Sequence, residues 1–305
     1  MEFRRVLFRS NNLNPNNSLG TAATKLDGYL YVQGNTGQVG GNLIIGTTSS
    51  TAGTTIVPAS DWATLISKMS TAQQHQNNTT FSQAQPTSGS IITYLSSIDT
   101  EITSLTTNKY SAYTVSSVAG TAFPNSSSWS STSTKTFTVT FASALQANYF
   151  FNSGGRIVIQ SNTNAITQSN AQTTWNSFTN TGYNYTYLSA TSFTHSGTVG
   201  TFTRNVYTSG SGFNNLTTTP TTFLSLVDTG TGFTNYNNNV IQLNLSYSAP
   251  TLTATLILYD NDTNTIGKTN TGSTTAQINV GFPETTYLSN SWGSTTTANT
   301  VNTQA

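Results

Sequence analysis

The sequence predicts a mainly β protein, in which an antiparallel β-sandwich or jelly-roll-like domain follows a two-helix segment and a glycine-rich β arm. Three observations predict this class. Residues 113–289 hold many short runs in which apolar residues alternate with Thr, Ser or Asn, as in half-buried strands. Turns rich in Gly, Asn and Asp separate these runs. The residues are 34% hydrophobic and 11% aromatic, which is enough for a folded core although only 6% are charged.

The first ten residues, MEFRRVLFRS, differ from the rest of the chain because they hold three arginines, whereas the other basic residues are scattered singly. A secretory signal would need a longer apolar run than residues 6–8. A nucleic-acid-binding arm would need further clusters of Lys and Arg. The segment EFRRVLFRS resembles a sequencing adapter translated in frame, as in a gene from environmental DNA. We therefore interpret residues 1–10 as non-biological, and expect the natural N-terminus upstream of Asn11.

The sequence predicts a glycine-rich β arm or hairpin at residues 11–58, since two apolar runs flank the turn sequence NTGQVGG. The apolar residues of the arm are Tyr29, Tyr31, Val32, Leu43, Ile44 and Ile45. They have little to pack against locally. We expect residues 26–45 to pair as strand with the β-domain of the same chain or of a neighbouring subunit.

Residues 59–112 predict two helices that form a hairpin. In the first helix one face carries Trp62, Leu65, Ile66 and Met69. In the second, apolar residues with alternating spacings of four and three form a seam: Ile91, Leu95, Ile98, Ile102 and Leu105. We expect the seam to pack on the first helix of the same chain. A coil that joins subunits is the alternative.

Residues 113–289 predict the sandwich. In KTFTVTF the residues Phe137, Val139 and Phe141 point inward and Thr points outward. Further strands are predicted at RIVIQ, GTFTRNVY, TTFLSLV, NVIQLNLSY, TATLILY and TAQINVGF, and short helices at ASALQANYFFNSGG and NAQTTWNSFTNTG. Residues 290–305, rich in Ser, Thr and Asn, are predicted as a flexible tail.

The residues that could carry chemistry are few. There is no cysteine, and no catalytic or nucleotide-binding motif occurs. We expect His75, at the end of the first helix, to interact favourably with the helix dipole. We expect His195 to lie on a turn without a nearby acid. Asp99 and Glu101 are two apart on a helix and so face apart. The sequence therefore predicts neither an enzyme nor a cofactor, and neither a nucleic-acid nor a membrane partner.

One stretch, DNDTNTIG, partly matches a calcium-binding loop. Its residues Asp260, Asp262 and Asn264 occupy the first three oxygen-ligand positions. However, Thr265 occupies the position of the required Gly, and Thr271 that of the bidentate Glu. A hairpin turn explains the same residues, so we favour a turn over a metal site.

Two stretches, ASDWATLISKMSTAQQHQ and FASALQANYFFNSGGRIVI, carry a resemblance when taken in this order. The residues concerned are His75, Gln76, Tyr149, Phe150, Phe151, Asn152, Gly154, Gly155, Arg156 and Ile157. Together they resemble virion structural proteins of tailed bacteriophages from aquatic environments, over residues 60–283. The resemblance implies a non-enzymatic protein of a virion or of the cell exterior that works by assembling.

Two functions follow as hypotheses. The first is a self-assembling structural protein, either a tail, fibre or decoration subunit of a virion or an extracellular filament protomer, with the arm exchanged between subunits. Its partners would be copies of itself and other virion proteins. The scarcity of charged residues on the strands favours this hypothesis, because uncharged edges template strand pairing. The alternative is a sandwich module that binds host-surface glycans by stacking sugars on Tyr183, Tyr185, Tyr187 and Phe213. Core packing is the other role open to these four.

Overall fold

The computed structural model describes residues 59–81, 95–120, 122–125, 129–164, 174–198, 202–229, 238–261, 273–287 and 292–304. The predicted arm, residues 11–58, lies outside them. The described residues fall into two compact units. One comprises those up to Ser116 together with Leu145–Gly155 and Phe282–Gly293, and the other comprises the rest. Residues 145–155 and 282–287 fall in the range predicted for the sandwich, but they belong to the unit that contains the helices.

Three α-helices are described: α1 at Ala59–Asn77, α2 at Leu95–Thr107 and α3 at Ala144–Asn152. In α1, Ile66 and Met69 are buried, in agreement with the predicted apolar face. Of the seam in α2, Ile98 and Leu105 are buried and Ile102 is half-buried. Ile91 and the side chain of Leu95 lie outside the described part of the chain.

The contact between α1 and α2 is polar as well as apolar. The Gln73 side-chain amide donates a hydrogen bond to the Glu101 carboxylate at 3.1 Å. The Gln76 amide donates to the Leu105 carbonyl oxygen at 2.9 Å. The structure therefore places α2 against α1 of the same chain.

The described strands number twelve and form two antiparallel sheets packed as a sandwich, which confirms the predicted fold class. Their bounds are Val115–Ala119 (β1), Phe123–Asn125 (β2), Thr132–Phe141 (β3), Arg156–Asn164 (β4), Tyr185–Leu188 (β5), Phe193–His195 (β6), Phe202–Tyr207 (β7), Thr221–Asp228 (β8), Val240–Ser248 (β9), Thr251–Tyr259 (β10), Ser273–Pro283 (β11) and Thr295–Gln304 (β12). Sheet 1 has the order β1–β11–β4–β5–β6, and β2 also pairs with β11. Sheet 2 has the order β12–β3–β10–β9–β8–β7.

The alternating sequence pattern explains the sandwich core. On β3 the side chains of Phe137, Val139 and Phe141 are buried, while the Thr residues between them are half-buried. On the neighbouring strand β10, Leu252 and Leu256 are buried in the same way. Apolar residues thus line one face of each strand, and β-branched Thr suits the other face.

A cluster of aromatic rings fills one part of the second unit. The Trp129 and Trp175 rings meet edge to face at 5.0 Å, and the Phe178 and Phe202 rings stack at 4.8 Å. The helix predicted at NAQTTWNSFTNTG is there a helical turn at residues 174–176 followed by a π-helix at Ser177–Tyr183.

The prediction of a flexible tail is corrected by β12, which pairs antiparallel with β3 from Thr295 to Gln304. The sequence of residues 295–304 does not predict a strand, because no row of apolar side chains points inward from this edge strand. Its described side chains are half-buried or exposed, and Val301 is 38% exposed. Backbone pairing and the strand preference of Thr and Val stabilise β12 instead of apolar burial.

Candidate functional site

One rim of the sandwich presents two neighbouring strand edges. Among the described strands, β12 stands at the end of sheet 2 and β1 at the end of sheet 1. The Gly120 N–H, just after β1, donates to the Ile278 carbonyl of β11 at 2.9 Å. A Cβ at Gly120 would lie 3.3 Å from the Thr297 hydroxyl of β12. The end of β1 therefore lies beside β12, and we call the edges of these two strands the open rim.

The open rim lacks most of the features that usually protect an edge. Neither β1 nor β12 contains a charged residue or a proline. The last four residues of β1 are exposed, and Val118 is 56% exposed. Within the described part of the chain, protection consists of a β-bulge between Asn299 and Val301 and of Pro124 in the short strand β2. Exposed edges of this kind can accept a further strand.

The opposite rim, at β6 and β7, is different because polar bonds join the two strands there. The Phe193 N–H donates to the Ser209 carbonyl at 3.4 Å, and the His195 N–H to the Tyr207 hydroxyl at 3.3 Å. The Arg204 guanidinium lies 4.7 Å from the Tyr207 ring centre and adds a charge. Hydrogen bonds at β6 and β7 and the charge of Arg204 thus distinguish this rim from the open rim.

His195 is the last residue of β6, which corrects its predicted position on a turn. Arg204 Nε donates to His195 Nδ1 at 3.1 Å, so His195 Nε2 carries the hydrogen that it donates to the Gly182 carbonyl at 2.8 Å. Burial and the Arg204 charge lower the pKa of His195. The ring is a neutral structural link at neutral pH.

Lys135, one of the lysines scattered singly along the sequence, is buried. It occupies an inward position of β3, two residues before Phe137, and its side chain is 0% exposed. Its Nζ lies 3.4 Å from Asn302 Oδ1 on β12. Burial lowers the pKa of Lys135 to about 8. The alternation of KTFTVTF, extended by one step, would have placed Lys135 inward.

His75 has a more specific role than the predicted interaction with the helix dipole. It is buried at the end of α1, where Nε2 donates to the Ser153 carbonyl at 3.0 Å and Nδ1 lies 2.7 Å from Glu284 Oε1. The second oxygen of Glu284 accepts the N–H of Thr286 at 2.6 Å and that of Tyr287 at 3.3 Å. Both ring nitrogens are thus used to join three segments of the first unit.

The turn that follows α3, beside His75, depends on two glycines. Gly154 has φ +91°, and a Cβ there would lie 2.6 Å from the Ala112 nitrogen. The Gly155 N–H donates to the Phe150 carbonyl at 2.9 Å and closes the end of the helix. This turn presents the Ser153 carbonyl to His75.

The four candidate stacking residues divide into two pairs. Tyr183 is buried, with its hydroxyl 3.2 Å from that of Thr186, and Phe213 is buried against the Tyr247 ring at 4.7 Å. These two are core residues. Tyr185 and Tyr187 are half-buried on one face of β5, with ring centres 4.8 Å apart.

The acidic candidates form no metal site in the part of the chain that the structure describes, which contains no cluster of three His, Cys, Asp or Glu side chains. Of the calcium candidates, Asp260 donates its backbone N–H to the Ser131 carbonyl at 2.8 Å, which continues the pairing of β10 with β3. Asp262 and Asn264 lie outside the described residues. Glu101 packs against α1, and burial raises its pKa.

The described helices include none with the length and hydropathy that a membrane span requires. Comparison with known proteins finds no match: no family model, no curated protein and no solved structure is significantly similar to this chain.

Proposed function

We propose that this chain is a self-assembling structural protein whose copies join by strand pairing at the open rim. The observation that carries the proposal is the pair of adjacent edges at β1 and β12, which together contain no charged residue. Strand addition provides backbone hydrogen bonds without any specific side chain. Charged residues would oppose it, and they are absent from both strands.

The predicted arm, residues 11–58, is the segment that would supply the added strand. It contains two short apolar runs between glycines, a composition suited to strand pairing. An arm that pairs with the open rim of the next copy makes a head-to-tail contact. Such contacts build an open filament unless the rotation closes a ring.

The class of assembly that we propose is a virion part of a tailed phage, as tail, fibre or decoration subunit, or an extracellular filament of similar build. Support comes from the resemblance carried by the segments around His75 and Gly154, and from a composition with only 6% charged residues. A fold with buried apolar cores and Thr-rich outer faces does not require disulfides for its stability, which agrees with the absence of cysteine.

Electron microscopy and light scattering of the purified chain over a range of concentrations test the proposal. We expect ordered filaments or rings whose proportion rises with concentration. A chain that stays monomeric at millimolar concentration would contradict assembly through the open rim.

A further inference from the structure

We infer that the outer face of sheet 1 binds an acidic polysaccharide, a chain of sugars that carry carboxylate groups. The face is formed by the middle strands β11, β4 and β5 and is separate from the edge pairing proposed above. We call it the tyrosine face. Its residues are Arg156, Gln160, Tyr185, Tyr187, Gln277 and Asn279.

The strand register arranges these side chains in two rows. In one row, Val158 of β4 stands between Asn279 of β11 and Tyr187 of β5. In the next row, residue 160 stands in the same way between residues 277 and 185. Directly paired residues point to the same face, so each row has an amide at one end and a tyrosine at the other. Val158 is 7% exposed and makes an apolar floor.

The tyrosines provide the stacking surface. Tyr185 and Tyr187 are two residues apart on β5, half-buried, and their rings meet at 68°. An aromatic ring with one exposed side packs against the C–H face of a sugar ring, while its hydroxyl bonds to the sugar hydroxyls. Sites for small polar ligands combine such rings with a few fixed polar groups.

The amides provide the fixed polar groups. Asn279 Nδ2 donates to Gln160 Oε1 at 3.0 Å, which fixes both side chains. Asn279 is 9% exposed, and among the described residues its Oδ1 has no hydrogen-bond partner. A buried acceptor without a partner is uncommon in folded proteins, and a ligand hydroxyl would satisfy it.

Arg156 determines the charge of the ligand. Its guanidinium lies 5.0 Å from the Tyr187 ring centre, and among the described residues its Nε has no hydrogen-bond partner. A guanidinium that stacks on a ring keeps its edge donors available for a carboxylate. The described strands of sheet 1 contain no Asp or Glu, and Arg156 is the only Lys or Arg in them. The charge on these strands is therefore positive, and the tyrosine face favours an anionic sugar over a neutral one.

Calorimetric titration of the full chain with oligogalacturonate, and with a neutral malto-oligosaccharide of equal length, tests the inference. We expect oligogalacturonate to bind, with an affinity that falls as salt rises, and the neutral oligosaccharide to bind at least about tenfold more weakly. Absence of oligogalacturonate binding, or equal binding of both sugars, would overturn the inference.

Variants locate the site. Arg156→Gln and Tyr187→Ala should each weaken oligogalacturonate binding at least about tenfold. Thr194→Glu is a second variant that should fold normally, because Thr194 is exposed. Thr194 pairs with Tyr187, so the carboxylate of the new Glu side chain should repel the ligand without disturbing the core. Tyr113→Ala, at a tyrosine 55% exposed elsewhere, is the matched control and should bind normally. Normal binding by folded Thr194→Glu and Arg156→Gln proteins would contradict the assignment of the site.

Discussion

His75 Nδ1 lies 2.7 Å from Glu284 Oε1, although 209 residues separate the two in the chain. Because the Ser153 carbonyl can only accept, His75 Nε2 carries a hydrogen. The second oxygen of Glu284 accepts two backbone N–H groups, which hold the carboxyl group in place. The His75 ring is thus hydrogen-bonded at both nitrogens, and it links α1 to the segment after β11.

The first prediction concerns this pair. His75→Ala leaves the Ser153 carbonyl and the Glu284 carboxylate without their buried partner. We expect it to lower the free energy of unfolding by about 3 kcal/mol, as for other broken buried pairs. Urea unfolding followed by circular dichroism measures the change. Lys68→Ala, on the same helix, is the control and should cost less than about 1 kcal/mol. A loss as small as that for His75→Ala would show that the pair is not structural.

The second prediction concerns the helical seam. Ile98 is 1% exposed, so Ile98→Asp places an unpaired charge in an apolar contact. The cost is several kcal/mol, and we expect the α1–α2 region to unfold. Thr103→Asp, at an exposed position of the same helix, is the control and should stay folded. A folded Ile98→Asp protein that no longer assembles would instead favour a coil between subunits.

The third prediction uses the lowered pKa of Lys135. This pKa is about 8, below the ordinary value of 10.5. Between these pH values the unfolded chain holds more protons on Lys135 than the folded chain does. The free energy of unfolding should therefore rise as the pH rises through this window. Below pH 8 Lys135 is protonated in both the folded and the unfolded chain, so its titration no longer changes the free energy of unfolding.

Lys135→Met tests this relation. We expect the variant to be more stable than the parent chain at pH 7, by about 1 to 3 kcal/mol, with the advantage shrinking toward pH 10. Denaturant unfolding at pH 7, 8.5 and 10 measures it, and Lys68→Met is the matched control. Parallel profiles for Lys135→Met and the parent chain would mean that Lys135 is hydrated in the folded state.

The sequence predicts what depends on local periodicity and misses what depends on long-range contacts. The strands around Phe137 and the helix face around Ile66 follow from apolar spacing within a few residues. The partner of His75 could not be predicted, because nothing in the local pattern distinguishes Glu284 from other carboxylates. Strand β12 was missed because an edge strand held by backbone bonds needs no apolar alternation. The tyrosine face depends on register between β11, β4 and β5, which the chain alone does not specify.

The fourth prediction tests strand addition at the open rim. Val118→Lys with Val301→Lys adds one charge to each of the two exposed edges. Charged edges resist pairing, so we expect the double variant to stay folded but to form no filaments. Thr203→Lys with Asn205→Lys puts the same charge on β7 at the opposite rim and serves as the control. Analytical ultracentrifugation compares the two. Equal assembly by both variants would exclude the open rim as the joining surface.

The fifth prediction concerns the two N-terminal segments. If residues 1–10 are non-biological, their deletion should change neither folding nor assembly. The neighbouring arm carries Tyr29, Tyr31 and Val32, which need apolar cover that their glycine-rich surroundings do not supply. Deletion of residues 11–45 should therefore abolish polymerisation and leave the sandwich folded, because the core residues of both sheets lie C-terminal to it. Electron microscopy and circular dichroism check the two outcomes. Normal filaments after the longer deletion would rule out arm exchange, and strand pairing between the rims of the sandwiches themselves would then have to join the copies.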